Sequence, residues 1–280
     1  MKLAALLVLV AAAAALSGAE EEKPKPKEEL EPDKLPPAPP GKTWKLVWHD
    51  EFSGAKLDET KWEVPESLPE IKRHDAEWSR EAVKLDDIGH HLVISTFKEG
   101  DKYYDGCVQT KGKFEHAFGY YVARLQMQKE PGHWPAFWLY NECVNREHDG
   151  REGTEIDIME KPFLDERVLN GLHWRGYGEH QKSARHVSKA QGLTEGFHTF
   201  ALLWTPEEYV FYTDAKETWR SKEGGVCQVP LYIKISDEVE AKGWAGDLSQ
   251  ASLPDQFVVD YVRVYDLVEE EKEEEKEEAK

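Results

Sequence analysis

The chain from Trp44 onward consists of short runs in which apolar and polar residues alternate, separated by turn signals such as Glu99-Gly100-Asp101 and Glu223-Gly224-Gly225. Many short strands with regular turns indicate a β-sandwich or a β-barrel, and the pattern alone does not choose between them. No run of helical period longer than three turns interrupts them. The predicted strands include Trp44 to Trp48, Leu92 to Phe97, Cys107 to Thr110, Tyr120 to Met127, Phe200 to Trp204, Tyr209 to Tyr212, Leu231 to Ile235 and Phe257 to Tyr265.

The last of these runs shows the clearest alternation. Successive side chains of a strand point to opposite faces of the sheet. One face is predicted to carry Val258, Asp260, Val262 and Val264, and the other Tyr261, Arg263 and Tyr265.

The stretch 155–160, Glu-Ile-Asp-Ile-Met-Glu, interleaves three acids with three bulky apolar residues. Its isoleucines favour a strand, and Glu155 and Asp157 then share a face. Regular alternation would place Glu160 with the isoleucines, where a charged side chain is very costly unless paired. A β-bulge around Ile158-Met159 would add one residue and return Glu160 to the acidic face, and we predict that bulge.

Three neighbouring carboxyl groups raise one another's pKa, so one proton should stay within the set near neutral pH. An ionised carboxylate beside a protonated one is the equipment of glycoside hydrolysis. Four regular strand steps span roughly 13 Å, whereas a retaining mechanism needs carboxyl groups about 5–5.5 Å apart. Bending of the strand and converging side chains must therefore close the gap. The alternative is an edge strand with a solvated acidic face.

The stretch 155–160 resembles the bulged signature of glycoside hydrolase family 16, which includes laminarinases and other endo-β-glucanases. Other matches follow in the order of that family, from about residue 44 to residue 266. They are His49-Asp50-Glu51-Phe52, Leu57-Asp58, Lys61-Trp62, Gly119 to Arg124, Trp134-Pro135-Ala136-Phe137-Trp138-Leu139, Phe197-His198-Thr199-Phe200, Trp204-Thr205-Pro206 and Val259-Asp260-Tyr261-Val262-Arg263-Val264-Tyr265.

The resemblance implies an all-β fold, a β-jelly-roll sandwich of two curved antiparallel sheets with a concave substrate cleft. It implies that Glu155 is the nucleophile, Asp157 the assisting acid and Glu160 the acid/base. The reaction would be retaining hydrolysis of a β-glucan with β-1,3 or mixed β-1,3/1,4 linkages. The enzyme would act as a monomer on a polysaccharide.

Aromatic side chains are the expected sugar platforms, because sugar rings stack on aromatic planes. Among ten tryptophans, the resemblance favours Trp134 and Trp138 near the cleaved bond, and Trp244 in a Gly-rich loop. Each could instead fill the core. His173 could contact Asp157 or the sugar. Arg80 could bind sugar hydroxyls or pair with Glu81.

Two departures from the family pattern bear on the substrate. Many relatives carry a Gly-Gly-Asn-Trp-Pro-type loop late in the chain, where this sequence has Lys242-Gly243-Trp244-Ala245-Gly246. Many also have an Asn where this chain has Ala82. Three alternatives therefore stay open: a hydrolase of red-algal galactans of the agar, porphyran or carrageenan type, a non-catalytic glycan-recognition protein, and transglycosylation through the same intermediate.

Composition and charge narrow the partners. The formal net charge is −19 over 280 residues, and the globular part stays acidic when both charged ends are set aside. An acidic surface disfavours nucleic acids and anionic membranes as partners.

Four segments are predicted. Residues 1–19 are a signal peptide, with Lys2, an apolar run and the small residues Ser17-Gly18-Ala19, so the protein would be secreted to the exterior or the periplasm. A membrane anchor is the alternative, but the apolar run is shorter than the ~20 residues of a span. Residues 20–40 form an extended, solvated Pro/Glu/Lys-rich linker. Residues 41–268 form the catalytic domain, and residues 269–280 an acidic Glu/Lys tail.

No cofactor is required by this chemistry. The family often carries a structural calcium ion, and Asp260 matches one of its ligands; the alternative is that Asp260 bonds backbone amides. The histidines lack zinc spacing. The cysteines, Cys107, Cys143 and Cys227, allow one disulfide and one free thiol, and the sequence does not assign a pair.

Overall fold

The computed structural model describes residues 33–66, 74–86, 90–146, 149–240 and 242–270. The predicted signal peptide, the linker before residue 33 and the acidic tail beyond residue 270 lie outside these residues. None of the helices in the described part of the chain has the length and the apolarity needed to cross a bilayer.

Two sheets account for the strands of the described residues. The larger sheet has the order β15-β14-β13-β8-β17-β4-β5-β2, with β1 beside β17 and β3 beside β4. Its strands are β1 Lys42–Asp50, β2 Ala76–Trp78, β3 Val83–Asp86, β4 His91–Glu99, β5 Lys102–Asp105, β8 Gly119–Gln126, β13 His198–Trp204, β14 Tyr209–Thr213, β15 Lys216–Ser221 and β17 Asp255–Glu269.

The smaller sheet has the order β12-β11-β10-β9-β16-β6, with β7 also beside β16. Its strands are β6 Cys107–Gln109, β7 Glu115–His116, β9 His133–Tyr140, β10 Glu155–Glu160, β11 Arg167–Trp174, β12 Lys182–Lys189 and β16 Leu231–Val239. Short 3-10 helices connect strands at Arg80–Ala82, Glu142–Asn145, Gly150–Glu152 and Leu248–Gln250.

The prediction of an all-β sandwich is confirmed. Apolar residues of the inner faces form the core between the sheets, with Ile156 and Ile158 from the smaller sheet meeting Phe200 and Val262 from the larger one in one buried cluster. Pairing is antiparallel except between β2 and β5, which run parallel.

The predicted alternation along β17 is wrong at one place. The register of β17 against β8 shifts between Val259 and Tyr261, so Asp260 is an extra residue in the strand. Val259 and Val262 both point into the core, whereas Val258 lines a groove on the outer face. A bulge reverses the facing of every residue before it relative to those after it.

The solvated linker expected up to residue 40 also needs correction. Residues 33–36 pack on the face of the larger sheet that points away from the core, where Leu35 contacts a cluster that includes Tyr120 and Val122. The Asp33 carboxylate accepts hydrogen bonds from Arg263 Nη1 at 3.0 Å and Tyr265 Oη at 2.7 Å. At the other end, Glu269 belongs to β17 rather than to the tail, since it pairs with Lys42.

The three cysteines all lie in the described residues and are free thiols. Cys107 and Cys227 are buried and Cys143 is half-buried. The disulfide that the sequence left open is therefore not formed in this structure.

Candidate active site

The acidic strand β10 carries the predicted bulge. Between Asp157 and Glu160, β10 advances three residues while β11 advances two, from Gly171 to Leu169. Against β9, the shift falls between Asp157 and Met159. Ile158 and Met159 are therefore both fully buried, and Glu160 lines the same cleft as Glu155 and Asp157. The bulge prediction is confirmed.

The cleft crosses the concave face of the smaller sheet and encloses about 730 Å³. One row of paired residues runs across its floor, perpendicular to the strands, from Lys234 to Arg185. The lining residues are His74, Trp134, Ala136, Trp138, Tyr140, Glu155, Asp157, Glu160, His173, Tyr177, Gln181, Arg185, Lys234, Ser236, Glu238, Glu240 and Trp244.

Glu155 begins β10 and faces the middle of the cleft. The hydroxyl of Tyr177, from the loop after β11, donates a hydrogen bond to its Oε2. Burial and the neighbouring Asp157 raise the pKa of Glu155 to about 7, against smaller opposing effects of Tyr177 and His173. Glu155 is therefore ionised in a substantial fraction of molecules near neutral pH.

Glu160 ends β10 and is 7% exposed. Its Oε1 accepts a hydrogen bond from Trp134 Nε1 at 2.7 Å. Burial raises the pKa of Glu160 well above its usual range, with a further contribution from Asp157 and a smaller one from Glu155. Glu160 therefore holds its proton more tightly than a free glutamic acid does.

Asp157 lies between the two glutamates and is held by its neighbours. Its Oδ2 lies 3.3 Å from His173 Nε2, and His173 Nδ1 faces the side-chain amide of Gln181 at 3.2 Å. If the amide of Gln181 donates, Nε2 carries the proton that points at Asp157. Opposite Asp157 stands Gly171, where an added Cβ would lie 2.3 Å from Asp157 Oδ2. Only glycine leaves room for this carboxylate.

Aromatic side chains form the floor and one wall of the cleft. Trp138 is 6% exposed and donates to Ser236 Oγ at 3.0 Å, and Lys234 Nζ lies 4.2 Å from its ring centroid. Trp244 is 40% exposed and packs edge-on against Trp134 at 4.8 Å. Trp134 and Trp244 thus form an open aromatic wall beside Glu160, on which a sugar ring can stack.

The structure brings together all but two of the predicted site residues. Arg80 pairs with Glu59 at 3.3 Å and does not line the cleft, so the predicted sugar contact is not formed there. Sequence reasoning missed Tyr177, Gln181, Arg185 and the polar face of β16. The sequence of β16 has a polar residue at every second position of an apolar run, and this pattern could have indicated the polar face. These residues are Lys234, Ser236 and Glu238.

Asp260 lies on the opposite sheet, away from the cleft. Its Oδ2 accepts from Arg124 Nη1 at 2.5 Å, and its Oδ1 lies 3.9 Å from His91 Nε2. The Arg124 guanidinium is thus an ion-pair partner of this carboxylate, and the calcium ion stays a prediction. Among the described residues, Glu155, Asp157 and His173 are the group of three whose ligand atoms, all within 4.8 Å, could hold a metal ion. Those atoms already face Tyr177 and one another.

The fold is a jelly-roll sandwich, and its concave face combines paired carboxyl groups with tryptophan platforms. These features together are typical of the polysaccharide-cleaving β-sandwich proteins. The model of glycosyl hydrolases family 16 matches residues 71–263, and the chain belongs to that family.

The chain is similar to several characterised members. It is 27% identical to a keratan-sulfate endo-1,4-beta-galactosidase from Sphingobacterium multivorum, over 80% of this chain and 56% of that protein. It is 27% identical to a beta-glucanase from Rhodothermus marinus, over 81% of this chain and 86% of that protein. The crystal structure of a laminarinase from Flavobacterium sp. UMI-01 superposes with a TM-score of 0.67 at 25% identity, over 79% of this chain and all of that one. The chain thus spans little more than half of the first of these relatives.

Proposed function

We propose that this protein is a secreted, retaining endo-β-glycosidase that cleaves a β-glucan with β-1,3 or mixed β-1,3/1,4 linkages. The observation that carries the proposal is the bulge in β10, which brings Glu155, Asp157 and Glu160 to one cleft. The difference in proton affinity supports separate roles, because burial raises the pKa of Glu160 well above its usual range and that of Glu155 to about 7.

In the first step, the carboxylate of Glu155 attacks the anomeric carbon and forms a glycosyl ester. The bond from that carbon to the glycosidic oxygen breaks, and the oxygen takes the proton of Glu160. Trp134 positions Glu160 through its indole N–H. Tyr177 orients the attacking carboxylate through its hydroxyl.

In the second step, the ionised Glu160 removes a proton from a water molecule, whose oxygen attacks the same carbon. The ester bond breaks, Glu155 leaves as a carboxylate, and the configuration at the carbon is retained. Asp157, paired with His173, keeps a negative charge between the glutamates and favours the protonated form of Glu160. A sugar hydroxyl in place of water would give transglycosylation.

A second candidate substrate is an anionic galactan. The observation that favours it is Arg185, an exposed cation that lines the cleft and is paired with no described residue. The guanidinium group binds sulfate and carboxylate groups through paired hydrogen bonds. One of the similar proteins is named for cleavage of keratan sulfate.

The test of the activity is a reducing-sugar assay over laminarin, mixed-linkage glucan, agarose, porphyran, carrageenan and keratan sulfate. We expect cleavage of laminarin or mixed-linkage glucan, and more than a hundredfold loss in both Glu155→Gln and Glu160→Gln with the fold kept. Proton NMR of the first product should show the anomer of the substrate. Binding without cleavage of any polymer would favour a recognition protein instead. An inverted first product would remove the nucleophile role of Glu155.

Secretion is a separate part of the proposal. It rests on the leader-like residues 1–19. Expression of the full chain followed by mass determination of the exported protein should give a product that begins after Ala19. An uncleaved, membrane-bound product would support the anchor instead.

A further inference from the structure

A buried charged residue interrupts the inner face of β16. In this strand Lys234, Ser236 and Glu238 face the cleft, and the alternating positions face the interior. Ile233, Ile235 and Val239 occupy those positions as core residues, but Asp237 does so as well, with 0% exposure. A buried carboxylate needs compensating partners, because desolvation of a charge costs several kcal/mol. Nothing in the proposed reaction uses it.

Three donors converge on this carboxylate. Thr96 Oγ1 donates to Asp237 Oδ2 at 2.6 Å, and His133 Nδ1 lies 2.9 Å from the same oxygen. The backbone N–H of Trp134 donates to Oδ1 at 3.2 Å. An ionised aspartate is acceptor-only and can receive all three, whereas an asparagine must turn its NH₂ toward one of the donors. The geometry therefore matches an acceptor-only carboxylate better than the side chain of an asparagine.

His133 completes a buried ion pair. Its side chain is 2% exposed, and its Nε2 lies 3.7 Å from Asp255 Oδ2. Burial lowers the pKa of His133, but the charges of Asp237, Asp255 and Glu130 outweigh it and raise the pKa above its usual value. His133 thus holds a proton more readily than a free imidazole does, and its contact with Asp237 joins β9 to β16.

Trp134 connects this pair to the catalytic cleft. Its backbone is held by Asp237, while its indole N–H donates to Glu160 and its ring supports Trp244. We propose that Asp237, held by His133 and Thr96, is a positioning residue that fixes Trp134 and, through it, the proton of Glu160. This inference rests on the proposed function, since it assigns Asp237 to the acid/base step.

The test compares Asp237→Asn, Trp134→Phe and the double variant on the cleaved polysaccharide. Each single variant should lower kcat at least tenfold with KM changed less than threefold. Both should move the alkaline limb of the pH profile upward, because the hydrogen bond from Trp134 lowers the pKa of Glu160. In the Trp134→Phe background, Asp237→Asn should add less than twofold.

A second readout separates positioning from loss of structure. Aryl glycosides with an excellent leaving group need little acid assistance, and azide needs no base to attack the glycosyl ester. With such a substrate and azide, Asp237→Asn should recover most of the wild-type rate. A structural defect would lower the rate equally for both substrates.

If Asp237→Asn does not fold, Thr96→Val removes one donor from the same oxygen, with Thr96→Ser as its matched control. Thr96→Val should shift the alkaline limb in the same direction by a smaller amount. A wild-type pH profile in the folded variants, or a fully multiplicative effect with Trp134→Phe, would overturn the inference. Failure of the proposed function is distinguishable, because the wild-type protein would then cleave no polysaccharide, or Glu155→Gln and Glu160→Gln would keep its activity.

Discussion

Gly171 shows how a residue without a side chain can determine a catalytic site. It stands opposite Asp157 in the β10–β11 pair, and the space that its Cβ would fill is taken by Asp157 Oδ2 at 2.3 Å. Asp157 cannot move aside freely, because it is 4% exposed and faces His173. The position demands glycine for reasons of space, not of backbone conformation.

The variant Gly171→Ala should therefore lower kcat at least tenfold. Overpacking of this kind costs about 1–3 kcal/mol, and the displaced carboxylate should also lose its contact with His173. Gly178→Ala is the matched control, since an added Cβ there meets nothing within 4 Å. Steady-state kinetics and urea unfolding of both variants measure the effect. Equal activity of the two variants would contradict this account of Asp157.

Glu160 links function to stability. Burial, first, and the charge of Asp157 raise its pKa well above the usual range, so the folded protein binds this proton more tightly than the unfolded chain does. Such a group contributes stability below the unfolded pKa of about 4.3 and loses it as pH rises through the folded pKa. The acid/base carboxyl thus destabilises the fold at neutral and alkaline pH.

Glu160→Gln has no proton to lose and should be the more stable protein at pH 8, because folding then no longer holds a carboxyl group that the unfolded chain ionises freely. The gain should shrink toward pH 5, which lies close to the unfolded pKa of about 4.3, so that little of the destabilisation is present there. Urea unfolding at both values measures it, with Glu99→Gln at the exposed end of β4 as the control. A constant gain at both pH values would show that the buried charge is not its cause.

The two bulges in strands β10 and β17 differ in how well the sequence predicts them. The sequence indicates the bulge in β10 but not the one in β17. The bulge in β10 was readable because regular alternation would have buried Glu160 among isoleucines, at a large cost. The bulge at Asp260 was not, since the valines around it are acceptable on either face. Because an apolar residue is acceptable on either face of the strand, the sequence contains no sign of a one-residue shift in register.

Only part of strand β16 could be predicted from the sequence. The predicted strand ended at Ile235 and left out the polar residues that follow. In the structure the strand continues to Val239, with Ser236 and Glu238 toward the cleft. The role of Asp237 depends on Thr96, which is 141 positions away, and no local pattern encodes such a contact.

The segment before β1 acts as an element of the sandwich although it forms no strand. The side chains of Asp33 and Arg263 are 4% and 3% exposed, and Arg263 also bonds Glu51 from β1–β2 at 2.8 Å. Trp44 Nε1 donates to Pro36 O at 2.7 Å. This strap, residues 33–36, therefore closes the outer face of β17.

Asp33→Ala should lower the free energy of unfolding by about 2–4 kcal/mol, because it removes one partner of a buried ion pair. Activity should be unchanged, since the strap lies on the outer face of the other sheet. Lys34→Ala, at an exposed neighbour, is the control and should cost less than about 0.5 kcal/mol. Proteolysis within residues 33–41 should accelerate in Asp33→Ala alone. Unaltered stability would mean that the strap does not contribute to the fold.

At the scale of the whole molecule, fold and substrate are separable problems. The sandwich is set by alternation and turns, which are local properties of the sequence. The substrate depends on side chains from β9, β12 and β16 and from the loop at Tyr177, which meet only after folding. The sequence could therefore predict the acids on one strand, but not the cation of Arg185 beside them.

The net charge of −19 provides a test that distinguishes the two candidate substrates. A polyanionic galactan is repelled by the whole molecule over a Debye length of about 30 Å at 0.01 M salt, but over only about 8 Å at 0.15 M. If a sulfated galactan is cleaved, kcat/KM should therefore rise severalfold from 0.01 to 0.15 M NaCl, as repulsion of the approaching polymer is screened. For laminarin, which is neutral, kcat/KM should stay constant over the same range.

Arg185→Gln separates the local contact from this long-range field. If the guanidinium of Arg185 binds an anionic substituent, the variant should lower the ratio of kcat/KM for sulfated galactan to that for laminarin at least fivefold. The salt dependence should remain, because a single charge is a small part of −19. An unchanged ratio would leave the β-glucan as the substrate class that the cleft supports. A wild-type protein without salt dependence, combined with a rise of kcat/KM with salt in Arg185→Gln, would instead show that attraction by Arg185 balances the repulsion of the whole molecule.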